Sequence, residues 1–219
     1  TRSKRDWSSD VCSSDLYMFY APGMNGKVYE NFKIINSFQS ALNNEEFVLY
    51  YQPQLSLQNG EIIGVEALIR WNHPELGILP PGEFILLAED SGYIKPIGEW
   101  VIKEACRQIK EWDNKNIPIV PISVNVSSIQ FQDKNFVKQI EIHMINPSVK
   151  ASKIELELTE SVVMKNRKSS ISVMNALKEL NLKLSVDDFG TGYSSLSYFI
   201  ADSSSSRGIY RYFVSNLSE

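Results

Sequence analysis

The sequence predicts an α/β fold on a largely parallel sheet that opens with an antiparallel strand pair. Strand-like runs near 47–53, 61–70, 119–126, 154–159 and 183–188 alternate with helical patterns near 82–90, 96–115, 130–145 and 166–181. That order is what βα units produce. The first two runs are separated only by Leu55 to Gly60, and this link contains Asn59-Gly60, a hairpin signature. The strand runs also deliver polar groups to their ends: Glu66 to Arg70, Asn125, Glu157 with Glu160, and Asp187-Asp188.

Taken in chain order, residues 1–16 contain KRDWSSDVCSSDL and have neither helical nor strand periodicity. The string resembles translated sequencing-adapter read-through and is set aside from fold reasoning; a flexible linker is the alternative. Residues 17–25 (YMFYAPGMN) read as a strand followed by a Pro-Gly turn. From about 26 to 45, Val28, Phe32, Ile35, Phe38 and Leu42 recur at spacings of three or four, which predicts a helix with one apolar stripe. In the pattern near 96–115, Ile97, Val101, Ala105, Ile109 and Trp112 form a second stripe suited to packing on a sheet. After Phe199 the alternation stops: Ser203 to Ser206 precede an aromatic-rich tail without a further βα unit. The coherent pattern thus supplies about five barrel strands, whereas an eight-stranded barrel takes ~250 residues. An open sheet of that kind exposes a strand edge, so the chain as written is expected to be unstable or inactive.

With 219 residues and 43% hydrophobic content, the chain can bury one sizeable core. Its net charge of −4 argues against DNA or RNA as a partner, because polymer binding calls for a basic surface. No apolar run reaches the roughly 18 residues of a spanning helix, so the expectation is a cytoplasmic segment, with any membrane anchor outside it. Cys12 and Cys106 make neither metal-ligand spacing nor a disulfide framework, and Cys106 reads as an inert thiol on a helix. His73, in a Trp-Asn-His-Pro loop, reads as a solvent-exposed imidazole, and His143 as a helical residue without a partner. Two histidines and no Gly-x-Ser-x-Gly elbow leave serine-hydrolase chemistry without support.

Carboxylates and an amide at four successive strand ends are the donor set that hard divalent cations prefer. Adjacent carboxylates at Asp187 and Asp188 repel unless a cation lies between them. Each residue also has a plain structural reading. Glu157 alternates with Leu156 and Leu158 and would suit an exposed strand face, Asp187-Asp188 and Asn125 could form turns, and Arg70 could make a surface ion pair.

Together, Glu66-Ala67-Leu68, Asn125-Val126-Ser127, Glu157-Leu158-Thr159-Glu160 and Asp187-Asp188-Phe189-Gly190-Thr191-Gly192 resemble the motifs of EAL-domain cyclic-di-GMP phosphodiesterases, over about Glu46 to Phe199. The resemblance implies a TIM-like (β/α) barrel of the EAL type, incomplete after about five strands. It implies hydrolysis of cyclic di-GMP to linear pGpG by two divalent ions, Mg²⁺ or Mn²⁺. Two cations about 3.5–4 Å apart can activate water, neutralise phosphate and stabilise the leaving oxygen. By resemblance Glu66, Asn125, Glu157 and Asp187 ligate one metal, and Asp187 with Asp188 holds the second. Glu160 steadies the loop after Asp188, Arg70 grips a phosphate oxygen, and Gln52 and Leu68 contact substrate. Pro80, Pro81 and Phe84 are expected to shape the pocket wall.

The segment 17–45 resembles the end of a GGDEF domain with its connecting helix, which implies an upstream GGDEF or sensory domain, and family members often pair as homodimers. Residues 200–219 depart from the pattern, since the family's lysine-bearing sixth strand is missing from the tail; a reading-frame slip near Phe199 is one explanation. A non-catalytic cyclic-di-GMP-binding domain and a gene fragment without function stay open as alternatives.

Overall fold

The computed structural model describes residues 24–145, 149–159, 162 and 167–187. Helix α1 (Met24–Asn43) leads into strand β1 (Phe47–Leu55) and strand β2 (Ile62–His73). A short strand β3 (Gly77–Leu79), helix α2 (Pro81–Ser91) and helix α3 (Ile94–Asn114) come next. Strand β4 (Ile122–Val126) is followed by a single helical turn α4 (Ser128–Phe131) and helix α5 (Phe136–Ile145). Strand β5 (Ile154–Thr159), helix α6 (Arg167–Glu179) and strand β6 (Lys183–Asp187) complete the described chain.

The strands lie in the order β1-β2-β4-β5-β6, with β3 paired to β2 off this path. β1 and β2 are antiparallel, and β2–β4, β4–β5 and β5–β6 are all parallel, as the sequence predicts. Asn59-Gly60 makes the expected reversal. Gly60 adopts φ 73°, and its N–H donates to Ser56 O at 2.8 Å.

Alternation divides the sheet into two faces. Val65, Ala67, Ile69 and Trp71 of β2, Val124 and Val126 of β4, and Leu156 and Leu158 of β5 are buried against the helices. Helix α3 supplies Ile97, Val101, Ala105 and Ile109 to this layer, and Trp112 packs edge-on against Tyr51 with centroids 5.3 Å apart. Cys106 is fully buried here, and burial pushes its thiol up to about 11, which keeps it protonated and unreactive at neutral pH.

Several expectations are corrected. The apolar stripe of α1 is only half used: Ile34, Phe38 and Ala41 are buried, while Val28 and Phe32 are 65% and 63% exposed. Only the C-terminal half of the helix reaches the core, where Phe38 stacks on Trp71 at 5.3 Å. The single helix predicted over 130–145 is two helices. Asp133 Oδ1 captures the Asn135 N–H at 2.8 Å and breaks the run, while Phe131 and Phe136 still bury side by side. Strand β3 was not expected at all. Phe84, expected in a pocket wall, is fully buried in the helix layer against Phe47 and Trp71, and Pro81 simply opens α2 at its first turn.

His73 is buried at 5% exposure rather than solvent-exposed. Its Nδ1 accepts the backbone N–H groups of Glu75 and Leu76 at 3.1 and 3.2 Å, so the ring pins the turn that carries β2 into β3. His143 does have a partner: its Nε2 lies 2.9 Å from Glu99 Oε1 between α5 and α3. Among the described residues no helix is long and apolar enough to cross a membrane.

Candidate active site

The face of the sheet opposite the helix layer carries the polar groups. On β2, Glu66, Leu68 and Arg70 alternate with buried Val65, Ala67, Ile69 and Trp71, so all three turn to this face. Antiparallel register sets Gln52 opposite Glu66, Tyr50 opposite Leu68 and Val48 opposite Arg70. On the other side of β2, Glu66 is level with Ser123, which puts Asn125 one same-face step further along β4. Asn125 in turn is level with Glu157, and Thr159 is level with Asp187.

Parallel pairing explains why these residues converge. Strands running the same way present their C-terminal ends along one rim, and neighbouring strands are only about 4.8 Å apart. Residues far apart in sequence therefore become neighbours. Asn125 Nδ2 donates to Glu66 Oε1 at 2.7 Å across 59 residues of chain. This one contact joins two of the predicted ligands. Among the described residues it leaves the amide oxygen of Asn125 and the second carboxylate oxygen of Glu66 for a cation.

The donor chemistry fits hard divalent ions. Glu66, Asn125 and Glu157 offer oxygen from three adjacent strands, and neither histidine nor cysteine intervenes. Among the described residues no three acidic, histidine or cysteine side chains form a closed metal cage. Asp187 is described only as a register position on β6, and Glu160 and Asp188 lie outside the described residues.

Arg70 is not the surface ion pair that its composition allowed. Its Nη1 donates to Ile69 O at 2.8 Å, and its guanidinium lies 5.6 Å from the centre of the Tyr50 ring. It forms no ion pair with a carboxylate among the described residues. Sequence reasoning missed Tyr50, although its place two residues before Gln52 on a strand puts it on the same face.

The loop that leaves β4 is fixed from behind. Ser127 Oγ accepts the Gln130 N–H at 3.2 Å, and Gln130 Oε1 accepts the Ser127 N–H at 3.3 Å, a capping box directly after Asn125 and Val126. Gln130 fits because α3 carries Gly98 there; a Cβ at this position would overlap the Gln130 side-chain amide. Gly98→Ala is expected to expel the Gln130 amide and cost about 1–2 kcal/mol net of the better helix propensity. Thermal unfolding checks this: a midpoint equal to the parent's would show that the amide is not held there. A cavity of ≈ 200 Å³ lined by Lys95, Glu99, Asp133 and His143 lies in this helix layer, away from the carboxylate face.

Comparison with known proteins shows the family to which this fold belongs. The family model described as "EAL domain" matches residues 35–201. The chain is 39% identical over 201 residues to the bifunctional diguanylate cyclase/cyclic di-GMP phosphodiesterase MucR of Pseudomonas aeruginosa, covering 92% of this chain and 29% of that protein. It is 37% identical over 181 residues to the cyclic di-GMP phosphodiesterase PdeR of Escherichia coli, covering 83% of this chain and 27% of that one. The chain thus spans less than a third of the length of these curated relatives. Among solved structures, the PaMucR phosphodiesterase in complex with c-di-GMP superimposes with a TM-score of 0.73 at 41% identity, covering 76% of this chain and 68% of that one. The EAL enzyme Bd1971, in a form with cAMP and cyclic-di-GMP bound, gives 0.69 at 33% identity, covering 81% and 50%. On a family match over most of its length and a sheet of the same kind, this chain belongs to the EAL domain family.

Proposed function

We propose that this chain hydrolyses cyclic di-GMP to the linear dinucleotide as the catalytic domain of a longer signalling protein. The observation that carries the reading is the meeting of Asn125 with Glu66 on adjacent parallel strands, level with Glu157. Relatives named as cyclic di-GMP phosphodiesterases support the substrate, as does a neighbour structure in complex with c-di-GMP.

In this reading Glu66, Asn125, Glu157, Asp187 and Asp188 would hold two divalent ions, Mg²⁺ or Mn²⁺, with Asp187 contributing to both. When bound, such ions neutralise phosphate charge and make water a competent nucleophile. The chain's own residues do the positioning. Asn125 uses its N–H to orient the Glu66 carboxylate, which leaves its carbonyl oxygen for the cation. Arg70 offers a planar fork to a phosphate oxygen, Gln52 and Leu68 border the substrate, and Glu160 steadies the loop after Asp188. The same proposal takes 46–199 as the catalytic domain, with 17–45 joining it to an upstream GGDEF or sensory domain, and includes pairing of two copies in the cytoplasm.

The open sheet edge argued for an unstable or inactive chain, and the same assay decides between the two readings: the purified chain, given cyclic di-GMP with Mg²⁺ or Mn²⁺, releases the linear product in a reaction that a chelator stops if this proposal holds, and neither binds nor cleaves it if the open edge prevails. Binding without turnover in saturating metal would instead mark a cyclic-di-GMP-sensing domain.

A further inference from the structure

Beside the predicted ligands, the same face carries one aromatic ring to which the proposed chemistry assigns no task. β1 alternates like its partner. Phe47 is buried in the helix layer and Tyr51 packs on Trp112, so Tyr50 turns to the face of Glu66 and Arg70. Tyr50 is 50% exposed. Same-face positions on a strand are about 7 Å apart. Along this face the levels run from Gln52 with Glu66, through Tyr50 with Leu68, to Val48 with Arg70. The ring therefore sits midway between the predicted metal ligand and the predicted phosphate grip, with a leucine directly across the strand pair.

The orientation of the ring is set. Arg70 places its guanidinium 5.6 Å from the ring centre, while its own bond to Ile69 O at 2.8 Å anchors that guanidinium independently of the tyrosine. A half-open ring, an aliphatic neighbour and an adjacent cation are what a nucleotide requires: a π-surface for the base and a charge for its phosphate. A lone exposed tyrosine is ordinary, so the weight rests on its placement in this strip.

We propose that Tyr50 is a specificity-determining residue that packs a purine base of the substrate against the wall it forms with Leu68. This inference rests on the phosphodiesterase reading. It is separable from it because it concerns recognition of the base and not cleavage of the ester.

The test compares cyclic di-GMP with a base-free phosphodiester, bis(p-nitrophenyl) phosphate, on the full chain with Mn²⁺. Tyr50→Ala is expected to lower the ratio of kcat/KM for the dinucleotide over that for the base-free ester about tenfold, mainly through KM, as loss of one stacking surface does. Tyr50→Phe, which keeps the ring, is expected to restore the parental ratio. A ratio is insensitive to the fraction of folded enzyme, so a variant that folds poorly still gives an answer. An unchanged ratio in Tyr50→Ala, or a fall in Tyr50→Phe as large as in Tyr50→Ala, overturns the inference and leaves the phosphodiesterase reading intact. A parent chain that cleaves neither ester overturns both.

Discussion

Replacement of Glu66 by glutamine is expected to lower metal-dependent turnover of cyclic di-GMP at least about a hundredfold while leaving the fold unchanged. Glutamine keeps the size of the side chain and still presents an oxygen to Asn125 Nδ2, so the 2.7 Å contact can persist. Only the negative charge is lost. Residues that merely orient a ligand cost ten- to a hundredfold when removed, and a direct anionic ligand should exceed that range. Stability should barely move, since a partly exposed polar substitution typically changes it by under about 0.5 kcal/mol. Two measurements decide the matter, initial rate at saturating Mn²⁺ and the unfolding midpoint. A variant with parental rate would remove Glu66 from the metal site. A variant that lost rate and stability together would show that the residue acts through the fold.

That residue was legible in the sequence for a definite reason. Polar residues stand out against an apolar strand pattern, and Asn125, Glu157 and Asp187 fall near the C-terminal ends of β4, β5 and β6, whereas Glu66, expected at a strand end, lies in the middle of β2, which runs on to His73. The hairpin was legible too, because Asn59-Gly60 is a local instruction and Gly60 needs only its own φ to carry it out. What escaped was settled by partners distant in the chain or too short to form a pattern. Three residues cannot show periodicity, so β3 was hidden; it forms where the turn held by buried His73 folds the chain back onto β2. The split between α4 and α5 was masked because Phe131, Phe136, Ile140 and Met144 stay apolar across it, and a single Asp133 contact makes the break. The stripe on α1 was read as apolar, but only its C-terminal half meets the core, since nothing in Val28 or Phe32 tells how far the core extends. Within the candidate site, the sequence offered Asn125 and Glu66 as separate candidates but not the bond between them, which exists only once β4 lies beside β2.

The largest effect on stability is expected from Trp71→Ala. Trp71 is fully buried at the centre of an aromatic group, with ring centroids 5.3 Å from Phe38, 5.2 Å from Phe47 and 5.7 Å from Phe84. These rings come from α1, β1 and α2, so the indole is where three elements are joined to β2. Its Nε1 also donates to Glu46 Oε2 at 2.9 Å. Truncation removes the packing, opens a cavity that three separate elements cannot all collapse into, and leaves Glu46 Oε2 without its indole donor. Such changes cost about 3–5 kcal/mol, against a total stability of about 5–15 kcal/mol. For a chain of this size the midpoint should fall by roughly 10 °C or more. Trp71→Phe keeps part of the packing but not the N–H, and should fall between the two. Because β2 also carries Glu66, Leu68 and Arg70, Trp71→Ala must lower activity as well, but by depleting folded molecules. Turnover per folded molecule at low temperature should stay within about twofold of the parent. Glu66→Gln should show the opposite pattern, a full complement of folded protein with almost no turnover, and an unfolding midpoint for Trp71→Ala close to the parent's would refute the central place given to the indole.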